Sequence, residues 1–337
     1  MQHKLATWAE DDPNRRFDRL FRLIADGTWL GEAARIVLAS SGANTPGIDG
    51  MDKQRMQAGL AENLAGLRTD LLSGNYRPQP VKRIYIPKAN GKKRPLGIPT
   101  LFDRAMQALH LLGLEPVAES TSDPNSYGFR RDRSTADAMS QIFVCMSQKG
   151  SAPWVLEADI QGCFDHINHD WLVSCVRMNK AILKRWLKAG VVHKGQLTPT
   201  EKGTPQGGII SPTLANVTLN GLESDLKAHL SATLGKTKAE KLKINVVRYA
   251  DDFIVTGASK EVLETEVRPW IEAFLAQRGL RLSPEKTRVT HIEKGFDFLG
   301  WNFRKYGGTL LIKPSRKNAK ALYDKVAEVI KSHLMVK

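Results

Sequence analysis

Residues 248–255 read RYADDFIV, with Asp251 and Asp252 side by side among apolar residues. The wider segment 246–257 predicts a strand, a tight turn and a second strand, with the acids at the turn. A buried carboxylate without a partner is costly and tends to lose its charge. A divalent cation would compensate both charges, and hard oxygen ligands suit Mg²⁺. The acid pair Asp11–Asp12, in contrast, lies in a polar segment where water can solvate it.

A third acid, Asp159, ends a predicted apolar strand, WVLEADI (154–160), just before Gly162. If this strand lies beside the hairpin, three carboxylates meet at one edge of a sheet. That arrangement suits two-metal catalysis, in which the ions lie about 3.5 to 4 Å apart. An ordinary Asp-Asp turn with a solvent-facing acid at a strand end would give the same spacing, so the acids alone leave both interpretations open.

The chain has 337 residues, 42% of them hydrophobic, which is enough for one large core or two to three interleaved subdomains. Fifty Lys and Arg against 35 Asp and Glu give a net charge of +15 and favour a polyanionic partner. Segments 81–94 and 301–337 contribute +6 and +7 of this charge. A phosphate backbone could bind there, although a solvated basic surface would look the same in sequence.

Several protein classes are excluded by what the sequence lacks. No apolar run approaches the roughly 20 residues of a membrane-spanning helix, and the N-terminus has no hydrophobic secretory signal. We therefore expect no membrane association and a cytoplasmic location. The cysteines Cys145, Cys163 and Cys175 show no CxxC spacing, which argues against a disulfide framework and a zinc site.

The predicted elements mix helices and strands without a regular βαβ alternation, which favours an α+β fold. We expect two short helices within 14–40, one helix at about 53–72, and one from Asp103 to Leu114 that ends before Pro116. We also expect a hairpin with a basic tip at 81–98, and a final hairpin at 296–314 followed by a basic helix.

The acids and further motifs resemble, in the same order, those of bacterial group II intron reverse transcriptases, also called maturases. The motifs are GIDG (47–50), YRPQPVKRIYIPKANGKKRPLGIPTLFDRAMQ (76–107), SYGFRRDRSTADA (126–138), GTPQGGIISPTLANV (203–217), GLRLSPEKT (279–287) and FDFLGW (296–301). The resemblance covers roughly residues 15 to 315, and so many ordered motifs favour the catalytic interpretation of the acids.

The resemblance implies roles for individual residues. Asp159 and Asp251 would be the principal metal ligands and Asp252 the third, more peripheral one, for two Mg²⁺ ions that Mn²⁺ can replace. Phe164 would be the steric gate that excludes a ribose 2′-hydroxyl. The implied nucleotide-binding residues are Lys88, Arg94, Phe164, Gln206, Gly207 and Lys286. The implied primer grip is Phe298, Leu299, Gly300 and Trp301.

The resemblance also implies a right-hand polymerase architecture with fingers, an antiparallel palm sheet with packed helices, and an incomplete thumb without an endonuclease. The implied boundaries are fingers with an N-terminal extension at 1–103, palm at 104–169, a fingers insertion at 170–203, palm with the hairpin at 204–305, and the start of the thumb at 306–337.

The function implied by the resemblance is RNA-directed DNA polymerisation. Its partners would be an RNA template, a DNA or RNA primer, dNTPs and, for a protein of group II intron origin, intron RNA. Two alternatives are an RNA-binding splicing maturase with incidental polymerase activity, and a reverse transcriptase recruited to antiphage defence. The sequence leaves the oligomeric state open.

Overall fold

The computed structural model describes residues 1–12, 15, 17, 20–87, 91, 93–204 and 207–334, except for the side chain of Phe21. The helices are α1 (Gln2–Asp11), α2 (Leu20–Ile24), α3 (Gly27–Ala39), α4 (Lys53–Ala58), α5 (Leu60–Ser73), α6 (Leu101–Ser120), α7 (Thr135–Met146), α8 (Cys163–His166), α9 (His169–Cys175), α10 (Lys180–Leu187), α11 (Ser211–Leu219), α12 (Ser224–Leu234), α13 (Lys236–Lys241), α14 (Lys260–Val262), α15 (Arg268–Gln277) and α16 (Arg316–Leu334). A 3₁₀ turn covers Ser41–Asn44 and a π turn covers Leu263–Val267.

The strands are β1 (Val81–Pro87), β2 (Lys93–Ile98), β3 (Trp154–Asp159), β4 (Val191–His193), β5 (Gln196–Thr198), β6 (Val246–Tyr249), β7 (Asp252–Gly257), β8 (Arg288–His291), β9 (Phe296–Phe298), β10 (Trp301–Tyr306) and β11 (Thr309–Pro314). The chain divides into two compact units. The first unit is Met1–Ser122, Gln161–Asn220 and Leu275–Arg281, and the second unit is Asp123–Ile160, Gly221–Phe274 and Leu282–Lys337.

The first unit is built around the long helix α6, against which α1, α2, α3 and α11 pack. Its sheet has the strand order β2-β1-β4-β5, with β1 and β2 forming the predicted basic hairpin and β4 running parallel to β1. Apolar residues of α6 such as Met106 and Leu109 are fully buried, which explains why this helix is central to the unit.

The second unit contains a four-stranded antiparallel sheet of order β6-β7-β3-β8 and a three-stranded sheet of order β11-β10-β9. Helix α7 and both sheets contribute to one hydrophobic core, in which Ile142, Val155, Val247, Ile254 and Phe303 are fully buried. Strand β3 lies between β7 and β8, so neighbours pair with both of its edges. The residue that ends β3, Asp159, pairs with β7, and its carbonyl accepts a hydrogen bond from the Ser283 N–H at 2.8 Å.

The structure confirms the α+β class and the strand pairing of the predicted hairpins, while residues 88–90 and 92 at the basic tip lie outside the described residues, and it corrects four details. The final hairpin is a three-stranded sheet, because β9 adds to β10 and β11. The helix predicted at 53–72 is two helices that meet at Gly59. Helix α1 was not predicted, because its sequence is largely polar.

Pro116 does not end its helix, since α6 continues from Leu101 to Ser120. A proline inside a helix leaves the carbonyl four residues earlier without its N–H donor. Here the side-chain amide of Gln2 donates to the Leu112 carbonyl at 2.9 Å. A contact from α1 thus supplies the bond that Pro116 cannot make.

Among the described residues, no helix combines the length and the apolar character needed to cross a bilayer.

Candidate active site

The register of the four-stranded sheet brings the predicted acids together at one end of the second unit. Asp159, the last residue of β3, lies directly opposite Asp252, the first residue of β7. Asp251 occupies the turn before β7, and its carbonyl accepts a hydrogen bond from the Ile160 N–H at 3.3 Å. Ala250 precedes it with a φ of +58°, which the tight turn requires. Acids about 90 residues apart in the sequence therefore share one sheet edge.

The electrostatics of this edge are those of crowded negative charge. The pKa of Asp252 is raised to about 7, because packing desolvates its carboxyl, Asp159 shares a hydrogen bond with it, and Asp251 adds a like charge. The residue keeps contact with solvent at the hairpin tip, while its carboxyl faces Asp159. A carboxyl pair in this position favours either a bound proton or a bound cation.

The ammonium group of Lys286 lies close to these acids, and its pKa is raised by them. Its Nζ lies 3.0 Å from Oδ2 of Asp159. Its pKa is raised by the hydrogen bond to Asp159 and, beyond that, by the charges of Asp159, Asp252 and Asp251. The fields of all three carboxylates therefore reach one exposed point, where a cation is stabilised.

The chemistry of these donors fits Mg²⁺, which prefers charged oxygen ligands. In the described part of the chain, no group of three or more His, Cys, Asp or Glu side chains is arranged around a common point as metal ligands. The assignment of metal ligands is therefore a proposal, which we make below.

A cleft of about 290 Å³ opens beside the acids. It is lined by Glu157, Ala158, Asp159, Asp252, Phe253, Glu285, Lys286, Arg288, Asp297 and Phe298. Acids, cations and the rings of Phe253 and Phe298 thus line one cleft.

Glu157 lies two residues before Asp159 on β3, but its surroundings differ. Its carboxylate accepts hydrogen bonds from Nε and Nη2 of Arg288, each at 2.8 Å, and from the hydroxyl of Thr290 at 2.7 Å. Arg288 is also its cross-strand partner on β8. Because this acid is fully supplied with donors, its role is to hold β3 and β8 together.

Two residues that position the turn were not assigned a role from sequence. Arg248 is only 2% exposed and donates from Nη1 to the Ala250 carbonyl at 3.1 Å. Its backbone bonds in both directions to the loop that contains Asn125 and Tyr127. A side chain on Gly128 would collide with the Ala250 backbone. An arginine within the apolar run VVRY and a glycine within SYGF were the available signals.

The predicted primer-grip residues form the corner between β9 and β10. Phe298 and Trp301 are paired across the hairpin, and Leu299 and Gly300 make its turn with φ values of +50° and +86°. Positive φ at both turn positions is typical of the tight hairpin turns that match strand twist. Phe298 also lines the cleft beside the acids.

Three of the predicted nucleotide-binding residues are described in the first unit: Phe164, Gly207 and Arg94. Phe164 is buried in α8, and its carbonyl accepts a hydrogen bond from the Thr204 N–H at 2.7 Å. Gly207 has a φ of +111°, and a Cβ there would collide with the Gly97 carbonyl of β2. Glycine at 207 is therefore required for the close approach of this backbone to β2, and its role in nucleotide binding stays a prediction.

Arg94 lies exposed on β2, opposite Ile86. Lys88 and Gln206, the other members of the predicted nucleotide-binding set, lie outside the described residues.

Comparisons with known proteins agree with this architecture. Residues 86–303 match the family described as reverse transcriptase (RNA-dependent DNA polymerase). Protein YkfC of Escherichia coli K12 is 41% identical over 89% of this chain and 86% of its own length. The group II intron-encoded protein LtrA of Lactococcus lactis is 30% identical over 96% of this chain, which spans 62% of LtrA.

A solved structure of telomerase from Candida albicans, in complex with a fragment of telomeric RNA, superposes with a TM-score of 0.50. The alignment covers 78% of this chain and 49% of that one at 12% identity, so it indicates a shared polymerase fold alone. The family match begins near the end of β1 and includes β2 and the Asp159, Asp251 and Asp252 edge. The chain therefore belongs to the reverse transcriptase (RNA-dependent DNA polymerase) family, alongside group II intron-encoded relatives.

Proposed function

We propose that this protein is an active RNA-directed DNA polymerase that extends a DNA or RNA primer with dNTPs on an RNA template. One observation carries the proposal: Asp159 is registered opposite Asp252, with Asp251 at the adjoining turn, and Lys286 lies within the field of all three acids. Phosphoryl transfer needs positioned cations more than it needs covalent chemistry from the protein.

Asp159 and Asp251 would be the principal ligands of two Mg²⁺ ions, with Asp252 as the third carboxylate and Mn²⁺ as a substitute. When bound, such ions activate the attacking hydroxyl and stabilise the leaving oxygens. The chain supplies a rigid edge for them, because β3 is paired on both sides and Arg248 fixes the turn. When a metal ion binds, the ammonium group of Lys286 would leave Asp159, whose carboxylate would then bind the ion, and would contact a phosphate instead.

The other predicted residues would select and hold the nucleotide. Phe164 would exclude the 2′-hydroxyl, Arg94 and Lys88 would neutralise the triphosphate, and Gln206 would pack against the nucleotide beside Gly207. Phe298 to Trp301 would grip the primer terminus. The boundaries given above for fingers, palm and thumb stay predictions.

The template would be held mainly through phosphates and 2′-hydroxyls, as expected for an A-form duplex and a chain of net charge +15. The 30% identity with a group II intron-encoded protein favours an intron RNA as the natural template and the cytoplasm of a bacterium as the compartment. The same relationship favours a second function, binding of intron RNA as a splicing maturase.

Extension of oligo(dT) on poly(rA) tests the proposal directly. We expect incorporation that requires Mg²⁺ or Mn²⁺, and a loss of about 1,000-fold or more in Asp251→Ala, as several kcal/mol of charge stabilisation disappear. Asp11→Ala, in the other acid pair, is the matched control and should retain activity. Metal-independent incorporation, or full activity in Asp251→Ala, would contradict the proposal.

Phe164→Val tests the gate separately. A smaller side chain should admit ribonucleotides, so the ratio of kcat/KM for dTTP to that for UTP should fall by about tenfold or more, with kcat for dTTP largely retained. An unchanged ratio would remove this role from Phe164.

A further inference from the structure

The loop that follows Tyr127 contains an aromatic residue in an unusual backbone conformation. Phe129 has a φ of +60° and Asp132 a φ of +58°. Bulky L-residues rarely adopt this left-handed conformation, because Cβ crowds the following carbonyl. The Phe129 side chain is nevertheless exposed, at 49%. The conformation is therefore not explained by burial of the ring in the protein core.

Other positive-φ residues of the second unit show the contrast. Leu299, with a φ of +50°, packs its side chain against the hydrophobic core. Ala250, at +58°, has only a methyl group and is buried in the catalytic turn. Packing offsets the strain at Leu299, whereas half of the Phe129 ring remains in contact with water. A strained residue that presents an exposed ring is a candidate for ligand contact.

The loop is fixed to the catalytic hairpin, so Phe129 has a defined position. Gly128, its immediate neighbour, lies against the Ala250 backbone, one residue before the acids. Arg130 holds the other side by donating from Nη1 to the carbonyls of Asp123 at 2.9 Å and Ser126 at 2.7 Å. The backbone on both sides of Phe129 is thus anchored close to the hairpin that carries Asp251 and Asp252.

The residues after Phe129 make this surface basic. The run RRDR at 130–133 has three cations and one acid, and Arg131 is exposed. Arg133 lies over the Tyr127 ring, with 6.0 Å between guanidinium carbon and ring centroid. An exposed ring followed two residues later by an exposed arginine, Arg131, has the composition that binds a nucleobase by stacking and the neighbouring phosphate by charge.

We propose that Phe129 stacks on a nucleobase bound at the catalytic hairpin and that Arg131 contacts an adjacent phosphate. This inference rests on the proposed polymerase function and names a contact within it. The base belongs either to the bound template or primer strand or to the incoming nucleotide, which share the same chemistry.

The first experiment measures binding without turnover. Fluorescence anisotropy in EDTA gives the Kd of a labelled RNA–DNA hybrid for the wild type, Phe129→Ala, Phe129→Gly, Phe129→Trp and the control Phe143→Ala. Phe143 is an exposed ring (47%) on α7. If the base belongs to the strand, Phe129→Ala and Phe129→Gly should weaken binding about tenfold, as expected for one lost stacking contact. Phe129→Trp should stay within about threefold of the wild type, and Phe143→Ala should match it.

The second experiment measures the Kd of dTTP for a complex with a chain-terminated primer, read by 2-aminopurine fluorescence in the template. If the base belongs to the incoming nucleotide, the loss of about tenfold should occur here and the hybrid Kd should be unchanged. Arg131→Gln should reduce the slope of log Kd against log salt concentration for the hybrid by the amount expected for about one lost phosphate contact.

Thermal unfolding distinguishes a purely structural role of Phe129 from a role in ligand binding. Because glycine accepts positive φ, Phe129→Gly should keep or raise Tm while ligand binding falls. If Phe129→Ala leaves both Kd values within twofold of the wild type, or if Phe129→Gly lowers Tm and Phe129→Trp does not restore binding, the inference is overturned. Both readouts are independent of turnover, so inactivity of the wild type in primer extension would overturn the proposed function and leave this test intact.

Discussion

Asp103 in the first unit and Asp252 in the second both have a carboxyl pKa raised chiefly by desolvation, yet their neighbours differ. Asp103 is 3% exposed and accepts hydrogen bonds from the hydroxyls of Tyr76 and Thr100, each at 2.7 Å, and from the Gln79 N–H at 3.2 Å. Asp252 instead faces Asp159 across the sheet and opens toward a cleft.

The difference shows that a raised pKa does not by itself identify a catalytic acid. Donors surround Asp103, so its contribution is to hold the start of α6 against the segment before β1. Asp252 instead has two like charges as neighbours, Asp159 and Asp251. A buried acid surrounded by donors is structural, and an acid that shares a sheet edge with other acids is suited to bind a cation.

The largest expected effect is on stability, at Asp103. Asp103→Ala leaves two hydroxyls and one backbone N–H without their acceptor in a buried site, so we expect a loss of about 3 to 5 kcal/mol in the free energy of unfolding. Urea unfolding measures it. Tyr76→Phe removes only one donor and should lose about 1 to 2 kcal/mol. A loss of less than about 1 kcal/mol in the free energy of unfolding of Asp103→Ala would show that Asp103 is not the structural acid of this comparison.

The reciprocal control for that experiment is Asp159→Asn. It removes a charge from a crowded pair, so Tm should stay equal or rise while primer extension is lost. If Asp159→Asn unfolds the protein instead, the acids at the hairpin are structural like Asp103.

A second prediction concerns a buried base, His110 on α6. Its pKa is lowered to about 4, because burial disfavours the charged ring, and Nδ1 contacts the Met106 carbonyl at 2.9 Å. The unfolded chain binds a proton below about pH 6.5 and the folded protein does not, so stability falls as the pH drops from 6.5 toward 4. Lowering the pH from 7.5 to 5 should cost about 2 kcal/mol through this group.

His110→Asn should remove that part of the pH dependence, measured by urea unfolding at pH 7.5 and pH 5. Identical pH dependence in His110→Asn and wild type would show that folding leaves the pKa of His110 unchanged and would contradict the prediction.

The smallest expected effect is at Glu157, the structural acid beside the proposed catalytic acids. Thr290→Val removes one of its donors and should lower the free energy of unfolding by about 1 kcal/mol. Primer extension should change by less than about threefold, because Arg288 still holds the carboxylate. A much larger loss of activity would mean that Glu157 helps to set the position of Asp159.

Local patterns explain which features could be predicted. The hairpin at 246–257 and strand β3 were predicted from alternating or continuous apolar runs bounded by turn-forming residues. Such patterns reflect interactions between residues that are close in the sequence. The helix break before Gly27 was predictable for the same reason, as α2 and α3 show. Pro116 misled the prediction, because the amide that satisfies Leu112 comes from Gln2, 110 residues away.

The sequence by itself determined the elements and their chemistry: an acid pair in an apolar hairpin, an acid at a strand end, and ordered motifs that resemble one enzyme family. Only the tertiary structure decided that Asp159 faces Asp252 and that Lys286, 127 residues away in the sequence, contacts Asp159. It also decided that Arg288 binds the carboxylate of Glu157 rather than that of Asp159. The physical reason is range. Backbone preference and hydrophobic period act over neighbouring residues, whereas strand register and charge compensation depend on which distant segments the folded core brings into contact.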